Sequence, residues 1–156
     1  QARYVGAFAR GNNWLIGWTG TSEFGLTTSS QSNTPINGVE RAGINGVPVH
    51  YTDGDWSPGS SVALRCENLA DVGGASIGLL VFGSGQLNFP IFGGTVVPTG
   101  DVVYVLNGAP GTAEFGPFTM PAGLGGLLFY TQFLAFDPGV PVGEFVFSNA
   151  QRHIIP

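Results

Sequence analysis

Asp53 and Asp55 stand one residue apart in Asp53-Gly54-Asp55, just ahead of a second turn, Ser57-Pro58-Gly59. Two carboxylates on one turn, with Asn or backbone oxygens nearby, are the hard oxygen donors that calcium prefers. The spacing of an EF-hand loop is missing, as is any calcium-binding repeat. A solvated turn is therefore the favoured reading, and calcium is the cofactor to set beside having none. His50 and His153 could offer imidazole to a transition metal, but two His with neither Cys nor a close carboxylate are a weak donor set. Both are expected at the surface. Gly74-Ala75-Ser76-Ile77-Gly78 fits the G-x-S-x-G pattern of serine hydrolases. That chemistry needs the Ser on a sharp strand-to-helix turn beside a His and an acid. Here Leu79-Leu80-Val81-Phe82-Gly83 continues as a strand, so small residues in a packed strand are expected and no enzyme. Ten acids are present, but no spacing marks a pair of the kind that cleaves glycosides.

The aromatic residues offer a different chemistry. Trp56 and Tyr51, with Trp14, Trp18 and Tyr4, could stack on the face of a saccharide, which makes a polysaccharide the alternative partner. The competing reading places them in the core or in an interface. Trp14 and Trp18 are four residues apart, so in an extended strand both face the same side. Cys66 is the single cysteine and excludes an internal disulfide. It lies in the alternation Val62-Ala63-Leu64-Arg65-Cys66 and is expected to be a buried, inert thiol.

The elements that must position these residues read as strands throughout. Gly at 26, Pro at 11 and 12 Phe, within 43% hydrophobic residues, describe short aromatic and β-branched runs joined by tight turns. Arg3–Ala9 and Trp14–Thr19 are two strands split by Gly11-Asn12-Asn13. The polar tract from Thr27 to Thr34 reads as a loop or linker ending at Pro35, so residues 1–34 are expected to be an arm on a domain of residues 35–156. Val47–Thr52, Ser61–Asn68 and Ser76–Phe82 follow. Leu87–Phe92 carries Pro90, which suits an edge or a bulge. Asp101–Leu106 ends at Asn107-Gly108, a hairpin signal, and Ala113–Thr119 returns. Leu127–Phe136, Glu144–Ser148 and Arg152–Ile155 close the chain. The expectation is an all-β, two-layer antiparallel β-sandwich, jelly-roll-like in its connections, with an N-terminal β-strand arm.

Only 10% of residues are charged, against roughly 25% in an ordinary soluble domain, and Lys is absent. A net charge of −5 with five scattered Arg argues against a nucleic-acid partner. No apolar run reaches the roughly 20 residues of a membrane span. A chain opening at Gln1 is expected to be a mature or trimmed form, as after secretion.

The stretch from Ser60 to Pro156 resembles a poorly characterised β-sandwich domain found near the C-termini of secreted and surface proteins in planctomycetes and related bacteria. The resemblance is carried by Pro90-Ile91-Phe92-Gly93-Gly94, by the Pro-bearing turn Met120-Pro121, by Tyr130-Thr131-Gln132, by Asp137-Pro138 and by Ser148-Asn149-Ala150. It implies a sandwich fold and an extracellular or cell-surface location, and no activity. Members of that family often carry a Cys near the position of Gly94, which this chain lacks.

Neutral surface without Lys is easily buried against another chain. The function expected is that of a secreted structural subunit, self-assembling into a surface fibre or layer as its N-terminal strands are exchanged between copies. The inter-subunit residues expected in the arm are Tyr4, Val5, Phe8, Trp14, Ile16 and Trp18. A secreted carbohydrate-binding or adhesion module is the alternative.

Overall fold

A computed structural model of the chain describes residues 33–141 and 143–156 throughout. Ahead of them it describes the backbone pairing of three strands, β1 (Val5–Arg10), β2 (Asn13–Thr19) and β3 (Phe24–Ser30). These form an antiparallel sheet of their own in the order β1-β2-β3. The remaining strands are β4 (Asn33–Ile36), β5 (Val49–Gly54), β6 (Ser61–Glu67), β7 (Ser76–Gly83), β8 (Gln86–Ile91), β9 (Gly94–Pro98), β10 (Val102–Gly108), β11 (Thr112–Thr119), β12 (Leu128–Phe136) and β13 (Phe145–Ile154). There is no helix among the described residues.

A five-stranded antiparallel sheet, β10-β7-β12-β13-β4, faces a three-stranded one, β11-β6-β5. The fold is thus the β-sandwich that alternation led us to expect. Val62, Leu64 and Cys66 of β6 meet Leu80 of β7, Phe133 and Ala135 of β12 and Val146 of β13 in a fully buried core. Strand β9 of the β8-β9 hairpin packs against β12, β13 and β7 of the larger sheet, with Gly94 lying close against the Phe147 ring. That second cover explains why β13 is buried on both faces from Val146 to Gln151.

Three expectations change. The described residues of the polar tract are strand rather than loop, since Thr27–Ser30 closes β3 and Asn33–Thr34 opens β4, while residues 31–32 lie outside the described residues. β-branched Thr accepts an extended backbone wherever a neighbour supplies the ladder, here Ile16 and Leu15 opposite Thr27 and Thr28. Asn33 and Thr34 pair with His153 and Arg152, so they belong to the sandwich sheet. Asn107-Gly108 ends β10 and makes no hairpin, because β10 pairs with β7 in the larger sheet and β11 with β6 in the smaller one. The turn is Ala109-Pro110-Gly111, closed by Thr112 N–H to Ala109 O at 3.0 Å, with Gly111 at φ +87°. Pro sets the first central residue of such a turn and Gly takes the left-handed second one.

The C-terminal segment is one strand rather than two. Leu134 pairs with Phe147 and Gln132 with Ala150, so Ser148 and Asn149 together oppose Phe133 in a bulge. Ser148 Oγ accepts the Phe133 N–H at 3.0 Å and donates to Asn149 O at 2.7 Å, replacing ladder bonds that the bulge interrupts. Pro90 sits in β8, a strand of the two-stranded hairpin with a register shift of its own, as expected for that residue.

Candidate assembly surface

An exposed strand edge offers unpaired N–H and C=O groups to any incoming strand, and proteins normally blunt it with charge, Pro or a bulge. The edges of this sandwich can be compared on that basis. β4 is four residues long and contains Pro35. β11 contains Glu114 and Pro117 and shifts register between Phe115 and Phe118. β5 carries Asp53, and β8 carries Pro90 and a register shift. β10 has none of these devices over its seven residues.

β10 pairs only with β7, in unbroken register from Val102 opposite Phe82 to Gly108 opposite Ser76. Val102, Val103, Tyr104 and Val105 are 46%, 51%, 43% and 68% exposed, a run of four large apolar residues on an open edge. Beside it, between the margins of the two sheets, runs a groove of about 440 Å³. Val102 and Tyr104 of β10, Phe115 and Phe118 of β11, Phe129 of β12 and Trp56 line it. Its walls are aromatic pairs, with Tyr104 and Phe115 centred 4.8 Å apart and Trp56 edge-on to Phe129 at 5.2 Å. Leu127 and Leu128 extend the apolar surface at its rim, where they are 48% and 37% exposed.

Asp101 is the charged residue at the groove. Its carboxylate accepts the Ser84 N–H at 2.7 Å and the Ser84 hydroxyl at 2.6 Å, and these bonds hold its pKa below the usual carboxylate range.

Behind Trp56 a chain of hydrogen bonds runs through the core. Trp56 Nε1–H donates to Asn33 Oδ1, which also accepts His153 Nδ1–H at 2.7 Å. His153 Nε2 lies 2.6 Å from the Thr131 hydroxyl, and His50 Nε2 lies 2.7 Å from the same oxygen. His50 Nδ1–H donates to Arg65 O at 3.0 Å. Burial pushes His50 down to about 4, against the opposing effect of the Arg65 carbonyl. Burial, and then the nearby His50, pushes His153 down to about 3. The expectation of surface His is overturned: both rings are 1% exposed or less. Nothing in their sequence spacing marks them as partners, because their strands meet only across the two sheets.

The residues singled out from sequence are placed as follows. Trp56 is 2% exposed, so it is a wall and core residue and not a platform open to a sugar. Tyr51 donates its hydroxyl to Glu67 Oε1 at 2.7 Å on the outer side of β5. Asp53 pairs with Arg65 at 3.2 Å, and Asp55 Oδ1 accepts the Ser57 N–H at 2.7 Å, so each carboxylate of the calcium reading has a protein partner of its own. Among the described residues no group of three or more His, Cys, Asp or Glu is gathered for a metal. Ser76 lies in β7, fully buried, donating to Ala70 O at 2.7 Å and accepting the Gly111 N–H at 2.9 Å.

Tyr4 lies outside the described residues, and Val5, Phe8, Trp14, Ile16 and Trp18 are described by strand position alone. Val5 stands opposite Trp18, Ala7 opposite Ile16 and Ala9 opposite Trp14, so those positions share one face of the small sheet. Phe8, opposite Leu15, is on the other face, so the expected inter-subunit residues divide between the two faces of the small sheet. Sequence reasoning marks Asp101–Leu106 as a strand but not as a surface, because only a missing neighbour makes β10 an edge. No helix among the described residues is long and apolar enough to cross a membrane. Compared with known proteins, the chain matches no family model, no curated protein and no solved structure.

Proposed function

We propose that this chain is a structural subunit that works outside the cell by self-assembly, one copy adding strands to the sandwich of the next. The observation that carries the reading is the β10 edge, seven residues without charge, Pro or bulge, bordering an aromatic groove. Strand addition to such an edge supplies main-chain hydrogen bonds, and the adjacent groove supplies pockets for alternate side chains. A head-to-tail contact of this kind that does not close into a ring propagates as a fibre. The extracellular setting is supported by the low charge, by the absence of Lys and by the resemblance of residues 60–156 to a domain of secreted proteins.

Electron microscopy and sedimentation velocity of the full chain over a concentration series test this. Filaments or a growing ladder of oligomers are expected. A folded chain that stays monomeric throughout would overturn the reading and turn attention to polysaccharide binding, measured by glycan screening with and without calcium.

A further inference from the structure

We infer that the groove beside β10 is closed by the β1-β2-β3 sheet of a second copy of this chain, added edge to edge through β1. This rests on the self-assembly reading above and specifies its junction.

The small sheet has two edges. β2 is paired on both sides and has no edge to offer. β3 ends in the hydroxyl residues Thr27, Thr28, Ser29 and Ser30, whereas β1 is apolar from Val5 to Ala9 and ends in Arg10, a cation. β1 has six residues and β10 seven, so the two edges match in length. Joined at this seam, three strands of one copy and five of the next make a continuous sheet. The face of positions Val5, Ala7, Ala9, Trp14, Ile16 and Trp18, which carries both tryptophans of the small sheet, is the one assigned to the groove side beyond β10.

Charge favours the same pairing. Arg3 and Arg10 are the only charged residues before Glu23, whereas residues 33–156 carry three Arg against nine acids. With β1 running antiparallel to β10, Arg10 at the end of β1 would come beside the start of β10, where Asp101 lines the groove. A β10-to-β10 contact between two copies would lack this complementarity and would leave the small sheet without a role.

The test is complementation between two full-length variants. Val103→Lys with Val105→Lys blocks the accepting edge at positions 51% and 68% exposed, where the native fold tolerates a long polar side chain. Ala7→Lys with Ala9→Lys blocks the donating edge; Ala7→Glu replaces it if the double variant does not fold. Each variant alone is expected to need at least tenfold higher concentration to assemble than the unaltered chain. Mixed in equal amounts, they retain one good edge of each kind and are expected to form a 1:1 heterodimer by sedimentation and native mass spectrometry. Undiminished assembly of the β10 variant would overturn the inference while leaving self-assembly intact. Absence of a heterodimer from two silent variants would overturn the β1-to-β10 junction. An unaltered chain that never assembles would remove the underlying reading as well.

Discussion

His50 and His153, 103 positions apart in the chain, bond to one and the same hydroxyl, that of Thr131, through their Nε2 atoms at 2.7 and 2.6 Å. The outer nitrogens settle the tautomers. A backbone carbonyl only accepts, so His50 carries its proton on Nδ1 toward Arg65 O. Asn33 Oδ1 accepts from the Trp56 indole and from His153 Nδ1–H, so His153 is also the Nδ1–H form. Two Nε2 lone pairs therefore compete for the single proton of Thr131.

Acid destabilises such a core. The folded pKa values, about 4 for His50 and about 3 for His153, lie below the ordinary 6.5, so below 6.5 the unfolded chain binds more protons than the folded one. Stability from these rings is fully present above pH 6.5 and is lost as pH falls through about 4 for His50 and about 3 for His153, on the order of a few kcal/mol. Urea unfolding at pH 7, 6 and 5 measures it, with imidazole nitrogen shifts reporting two neutral Nδ1–H rings at pH 7. Equal stability at pH 7 and pH 5 would contradict the assignment.

Asn149 acts as a strand made from a side chain. Its Oδ1 accepts the His50 N–H at 2.7 Å and its Nδ2 donates to His50 O at 2.9 Å, the pattern a paired backbone would give. Asn149→Ala leaves a buried N–H unpaired, and a loss of about 1–3 kcal/mol is expected. Denaturant titration against a neutral surface substitution checks it. Asn149→Asp keeps the acceptor but not the donor and should also destabilise.

Cys66 is fully buried on β6 opposite His50, and burial pushes its thiol up to about 12. A thiol so protonated and enclosed does not attack disulfide reagents. Labelling is expected only after unfolding, at one site per chain. Rapid labelling of the folded protein would show that β6 opens.

Trp18→Ala removes an aromatic anchor of the proposed junction. Interface tryptophans in closed pockets typically carry about 2 kcal/mol or more, equivalent to roughly a 30-fold weaker association. The concentration at half-assembly, read by light scattering, should rise by that factor, while Phe8→Ala, on the opposite face of the small sheet, should change it less. Equal effects would argue against a one-sided contact.

Much of the fold follows from local rules that a linear reading can apply. Period-two alternation in Val62–Cys66, Pro90 in an edge strand and the spacing of turns specify strands and a sandwich because they act within a few residues. Local rules also mark Cys66 as buried. They fail where a residue's fate depends on what lies opposite. The polar tract became strand because Trp14, Leu15 and Ile16 face it across a ladder. His50, Thr131 and His153 meet because β5, β12 and β13 converge, and hydrogen bonding repays the burial of groups that composition alone assigns to the surface. Gln132 belongs with them: its side chain accepts the Val97 N–H and donates to Thr95 O and Ser148 O, tying β9 to the larger sheet. Strand content and a weakly charged, largely neutral composition were legible in the chain alone, since these are properties of single residues and near neighbours. Tertiary structure alone decided which strand is left without a neighbour, because an edge is defined by the pairing that is absent on one side of β10.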